Sequence, residues 1–156
     1  MAVYRFEDLR VWQAAKHQCD LVGHLIKRPP FRADRELASQ MNAAALSVMF
    51  NISEGFLRPR DKETAPFLRY AFASNGELKA GYYAAEGRRQ ISELESKDLI
   101  AANESIAKML RRWMGTLKTD LGPGAQARTN DHGQTKDQGR TKDEGRTKAH
   151  EPRPRD

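Results

Sequence analysis

The chain has one cysteine, Cys19, in 156 residues, which excludes a disulfide framework and a zinc site built from several thiolates. It has no run of about 18 consecutive apolar residues, so no segment is suited to cross a bilayer as a helix. The opening Met-Ala-Val-Tyr-Arg-Phe-Glu-Asp lacks the charged-then-apolar layout of a secretory signal. These absences predict a soluble, cytoplasmic protein with no membrane partner. Strand formers are scarce as well: residues 1–121 hold 12 β-branched side chains against 17 Ala and 13 Leu, a balance that favours helices. Apolar residues give out near one end, with 57 in the first 121 positions and three, all Ala, in the last 35. Residues 1–121 are therefore read as one folded domain and 122–156 as a tail.

The tail opens with Gly122-Pro123-Gly124 and then repeats a six-residue unit, TNDHGQ from Thr129, TKDQGR from Thr135 and TKDEGR from Thr141. A β-helix of hexapeptides needs an inward apolar residue per turn, and this unit has none. Nothing offsets the entropy of ordering it, so the tail is predicted to be a disordered, low-complexity extension. The formal net charge of +6 divides into +4 for residues 1–121 and +2 for the tail, with both signs interspersed. That permits a polyanionic partner without requiring one.

Within 1–121 the apolar residues recur at helical spacing four times. The first helix is predicted from an Asp8 cap to Arg28, with Leu9, Trp12, Cys19, Val22 and Ile26 inward and Pro29-Pro30 as its stop. The second begins near Asp34, carries Leu37, Met41, Ala44, Val48 and Ile52, and ends about Gly55. The third starts at Lys62 or Glu63, because Pro66 is tolerated only in a first turn, and runs through Phe67, Ala71, Ser74, Leu78, Tyr82 and Ala85 to Ile91. The fourth runs from a Ser96 or Asp98 cap through Leu99, Ile106, Leu110, Trp113 and Leu117 to Gly122. Four long helices with short connections predict an all-α, antiparallel up-down-up-down four-helix bundle.

The ingredients of catalysis are missing. A dimetal centre in a bundle needs Glu-x-x-His pairs, and neither His17 nor His24 has a Glu three residues before it. There is no GxxxxGK[ST] loop to cradle a phosphate, and Cys19 sits on an apolar stripe as a small core residue would. No enzyme activity and no cofactor or metal are expected.

Apolar surface, by contrast, is in excess. From Ala43 to Ile52 only Ser47 and Asn51 are polar, and the third helix carries a second stripe of small residues, Ala73, Gly76, Ala80, Ala84 and Gly87. Glycine inside a helix costs about 1 kcal/mol relative to alanine, which is easier to understand at Gly76, Gly81 and Gly87 if another backbone comes close. Either the bundle packs tightly upon itself or a second copy covers these faces. The second reading makes the protein a homo-oligomer, with Met49, Phe50, Ala73, Gly76, Ala80 and Ala84 as candidate interface residues. Asn51, Glu54 and Arg58 follow at spacings of three and four, so they share a helix face and can pair or satisfy loop amides. Gly55 permits close approach or a left-handed exit. With Ser74 and Glu77 on the next helix these residues form either a structural polar cluster or a partner site.

Phe6-Glu7-Asp8-Leu9 with Val11-Trp12-Gln13, then Ser47-Val48-Met49-Phe50-Asn51-Ile52-Ser53-Glu54-Gly55, then Arg58, Glu63, Phe67-Leu68, Ala71, Ser74 and Glu77 resemble the pattern of a bacterial four-helix-bundle family. That family is related to the 23S rRNA intervening-sequence protein and to the accessory variability protein of diversity-generating retroelements. The resemblance spans roughly residues 4–121. It implies a four-helix bundle and a homopentameric ring, its relatives suggest a nucleic-acid-associated setting with ribosomal RNA or a reverse transcriptase as partner, and it does not imply an enzyme. Ala73, where a Gly commonly precedes the Ser, Pro66 and the repeat tail depart from the family pattern.

Basic residues cluster at Lys27, Arg28 and Arg32, at Arg58, Arg60 and Lys62, at Arg88 and Arg89, and at Arg111 and Arg112. Lys27, Arg28, Arg58, Arg60, Lys62, Arg88 and Arg89 are the candidate contacts to RNA or DNA. They compete with a structural role, since cations at helix ends complement the macrodipole and acidic neighbours lie nearby. The sequence thus supports a non-catalytic, homo-oligomeric assembly or scaffold protein, with an RNA- or DNA-binding accessory as the alternative.

Overall fold

The computed structural model describes residues 4–118, so the tail expected at 122–156 lies outside the described residues. The described chain is all helical, with no strand: α1 (Arg10–Leu25), α2 (Pro29–Ala33), α3 (Arg35–Phe56), α4 (Asp61–Gly87) and α5 (Glu93–Met114), preceded by a single 3-10 turn at Phe6–Asp8. Four of the five helices are long. In space α1 packs on α3 and α5, and α4 packs on α3 and α5.

The helix ends differ from expectation for local reasons. Asp8 does not cap α1. It closes the 3-10 turn, in which Phe6 stacks edge-on against Trp12 at 5.1 Å and the Glu7 carbonyl accepts from Gln13 Nε2 at 2.9 Å, so the helix starts at Arg10. Pro29-Pro30 ends the first helix and then starts α2, where proline's missing N–H costs nothing in a first turn. This short helix buries Phe31 completely. Asp34 caps α3 as expected, its carboxylate accepting from Leu37 N. Pro66 lies deeper inside α4 than a first turn allows, and the carbonyl of exposed Lys62 thereby loses its helical donor.

α4 stops at Gly87 rather than Ile91. Arg89 takes a left-handed φ of 57°, Gln90 N reaches back to the Ala85 carbonyl at 2.8 Å, and Ile91 turns into the core. α5 is capped by Ser92 Oγ, which accepts from Glu95 N, so its start precedes the expected Ser96 or Asp98, and Ser96 is buried instead.

Two apolar clusters fill the interior. One gathers Val22, Leu25, Phe31, Leu37, Met41, Leu78, Tyr82 and Leu99, and the other Val11, Ala15, Val48, Ile52, Leu68, Ile106 and Leu110. The inward residues expected on α3 are all buried. On α1 the buried stripe is Val11, Ala15, Gln18, Val22 and Leu25, while Leu9, Trp12, Cys19 and Ile26 are only partly covered against the clusters.

Candidate functional site

Between the two apolar clusters lies a polar layer that periodicity did not reveal. Asn75 and Asn103 are almost fully buried and exchange amides: Asn75 Nδ2 donates to Asn103 Oδ1 at 3.0 Å and Asn103 Nδ2 donates to Asn75 Oδ1 at 3.0 Å. Each Nδ2 also reaches the other residue's backbone carbonyl, and Gln18 Nε2 from α1 donates to Asn75 Oδ1 at 3.1 Å. Three helices are thereby pinned at one level. Their spacing betrays it only in hindsight: each amide stands three or four residues from buried apolar neighbours, on the inward stripe.

A second polar seam joins α3 to α4. Ser47 Oγ and Ser74 Oγ are 2.8 Å apart, and Asn51 Nδ2 donates to Ser47 O and Oγ at 2.8 and 3.1 Å. Asn51 and Ser74 therefore belong to one cluster, but Asn51 does not pair with Glu54. Glu54 pairs with Arg58 one turn on, and Arg58 lies over the Phe67 ring at 4.8 Å. Gly55 makes no left-handed exit; it is helical, and a Cβ there would sit 3.3 Å from Phe67 Cβ. Thr64 Oγ1 donates to the Gly55 carbonyl at 3.0 Å, tying the end of α3 to the start of α4. Glu77 is exposed and has no ion pair among the described residues.

The outward faces of α3 and α4 carry part of the exposed apolar surface, the rest being Tyr4, Leu57 and Leu94. Phe50 is 57% exposed, and Ala73, Gly76 and Ala80 are exposed, whereas Met49 and Ala84 lean partly on the core clusters. Tyr70 and Tyr83, 60% and 55% exposed, flank the small residues on α4. The sequence reading passed over these two, although each stands three residues from Ala73 or Ala80 on the same face. The glycines divide: a Cβ on Gly81 would fall 2.7 Å from Met41 Cγ, so close approach of α3 explains it. Gly76 and Gly87 meet nothing within 4 Å in this chain.

Four of the seven candidate nucleic-acid contacts are engaged by carboxylates. Arg28 pairs with Glu95 at 2.7 Å, Arg60 with Glu63 at 2.6 Å, Arg58 with Glu54 and Arg88 with Asp34. Lys27, Lys62 and Arg89 have no ion pair among the described residues. The Arg88 guanidinium holds the Asp34 carboxyl below the usual aspartate range, against the opposing effect of burial.

Another cationic group, part of which the sequence reading missed, lines a depression of about 340 Å³ between α4 and α5. Lys79, Lys108 and Arg111 line it together with Gly76, Asn75, Asn103 and the carboxylate residue Glu104. Lys79 pairs with Glu104 at 2.7 Å, an interaction that pushes the lysine up and the glutamate down, and Arg111 lies over Phe72 at 4.9 Å.

No group of three His, Cys, Asp or Glu side chains suited to a metal occurs among the described residues. Burial pushes the Cys19 thiol up, opposite to what a nucleophile requires. No described helix is long and apolar enough to cross a membrane. Residues 7–112 match the family model described as 23S rRNA-intervening sequence protein. No curated protein matches the chain.

Proposed function

The chain belongs to the 23S rRNA-intervening sequence protein family, and from that premise we propose that it works without catalysis, as a homo-oligomeric assembly or scaffold protein in the cytoplasm. The observation that carries this reading is the outward face of α4 with its neighbour on α3. Tyr70 and Tyr83 stand more than half exposed on α4, three residues from Ala73 and Ala80, and Phe50 is more than half exposed on α3. Large aromatics beside small side chains form knobs and a groove, and Gly76 lets a second backbone approach. A pentameric ring is the assembly this reading favours.

Each subunit is read as an up-down-up-down antiparallel four-helix bundle. The register of α3 on α4 supports this, since Met41 lies by Gly81, Ser47 by Ser74 and Gly55 by Phe67, one series rising as the other falls. The test is the solution mass of Ala80→Arg and Gly76→Leu. Both substitutions sit on exposed helix positions, so helicity is expected to persist while the assembly falls to single 17.7 kDa chains. Assemblies of unchanged size in both variants would refute the surface.

A second reading, an RNA- or DNA-binding accessory of ribosomal RNA or of a reverse transcriptase, is favoured by the Lys79, Lys108 and Arg111 depression and by Lys27, Lys62 and Arg89. Retention of mixed RNA and duplex DNA with a steep negative salt slope would support it. No retention at low salt would leave the scaffold.

A further inference from the structure

The layer of Gln18, Asn75 and Asn103 cuts the bundle into two halves, one around each apolar cluster, and charge is not shared evenly between them. In the half formed by residues 4–17, 46–74 and 104–118, eleven Lys and Arg stand against six Asp and Glu. The other half, residues 19–45 and 76–102, has eight of each, so the excess of +5 sits at one end. Seven of the eleven cations there make no ion pair among the described residues. Helix dipoles account for only some of them. Lys108, Arg111 and Arg112 near the end of α5 complement its macrodipole, but Arg10 opens α1 and Lys62 stands in the first turn of α4, where a cation is disfavoured.

In this half a groove of about 670 Å³ runs between the start of α1 and the end of α5. Arg10 and Arg112 line it, both exposed, and no Asp or Glu does; in the α4/α5 depression, by contrast, Glu104 already holds Lys79. Half-buried Trp113 and Met109 give the groove an apolar, aromatic surface. Gln13 lines it too, with its amide nitrogen committed to the Glu7 carbonyl and its oxygen left to accept. A duplex offers phosphates but keeps its base faces stacked inside, whereas cations beside an aromatic face suit a strand whose bases are free to stack. Cations also continue past the groove: Lys118 N donates to Asp61 Oδ2 at 2.8 Å, which brings the end of the described chain to the first turn of α4 and Lys62. Such a line fits a polymer with one charge per unit better than a short acidic peptide. Resting on the nucleic-acid reading of the chain, we infer that the α1/α5 groove binds single-stranded nucleic acid, with Arg10 and Arg112 on its phosphates and a base stacked on Trp113.

The test titrates the full chain at low salt with a fluorescein-labelled uridine oligonucleotide of about ten nucleotides, followed by anisotropy. A second titration, with unlabelled oligonucleotide, uses the Trp12→Phe chain, which leaves Trp113 as its one tryptophan. Binding is expected to quench Trp113 fluorescence. Arg10→Gln and Arg112→Gln, at exposed positions, are each expected to weaken binding about five- to tenfold and to lower the salt slope by about 0.7, whereas Lys79→Gln leaves both unchanged. Binding that leaves Trp113 unquenched, or that falls in Lys79→Gln and survives both arginine variants, would overturn the groove and keep the nucleic-acid reading. Polyglutamate bound as tightly as the oligonucleotide would overturn the inference in favour of an acidic peptide. No binding at low salt would overturn the groove and the nucleic-acid reading together.

Discussion

Replacing Asn75 by Ala removes one amide and strands two others. The Asn75 side chain donates to Asn103 Oδ1 and accepts from Gln18 Nε2 and Asn103 Nδ2. Without it, Asn103 Nδ2 keeps the Asn75 backbone carbonyl, but Asn103 Oδ1 and the Gln18 amide, both in residues no more than 2% exposed, lose their partners. A buried polar group left unmatched costs about 1–3 kcal/mol, so two such groups put the loss at about 2–6 kcal/mol. That is a large share of the ~5–15 kcal/mol that holds a domain of this size together. Urea unfolding followed by circular dichroism is the assay, and the midpoint should fall with little change in slope. The layer behaves as a unit, so Gln18→Leu, Asn75→Leu and Asn103→Leu combined should be more stable than Asn75→Ala alone, because no partner remains to be stranded. A loss under about 1 kcal/mol for Asn75→Ala, or a triple variant weaker than the single one, would refute this account of the layer.

Arg89 pays for its left-handed φ of 57° without glycine's freedom, so Arg89→Gly should stabilise the chain by about 1 kcal/mol, read as a raised urea midpoint. Gly81→Ala should destabilise by about 1–3 kcal/mol because its Cβ meets Met41 Cγ, and Gly23→Ala on α1, with open space, should not; thermal melts of the two variants make the comparison. Asp34 has its pKa lowered in the folded chain chiefly by Arg88, so the stability this gives is present above the ordinary aspartate range and lost as pH falls through the lowered value. Asp34→Asn should therefore flatten the acid limb of a stability-against-pH curve, and an unchanged limb would contradict the pairing.

How far the sequence could be read depends on which neighbours decide each residue's place. α3 was legible because Leu37, Met41, Ala44, Val48 and Ile52 obey helical spacing and every one is buried. α1 was misread because its inward stripe includes Gln18, a residue that periodicity assigns to water. Only the reciprocal amides of Asn75 and Asn103, 57 and 85 positions away in the chain, make its burial tolerable. Phe31 was missed because two prolines read as a stop, whereas they also begin a helix. Among candidate functional residues, the Asn51 and Ser74 cluster and the exposure of Phe50, Ala73, Gly76 and Ala80 follow from helical spacing. The pairing of Arg28 with Glu95 and of Arg88 with Asp34 does not, since it joins residues 67 and 54 positions apart.

The outward face of α3 and α4 as a self-association surface is tested most directly by the mass of the intact wild-type chain at sedimentation equilibrium, at micromolar concentration. A mass several times the 17.7 kDa chain, and five times it for a closed ring, is expected. A single species of one chain, unchanged on raising the protein concentration, would contradict it.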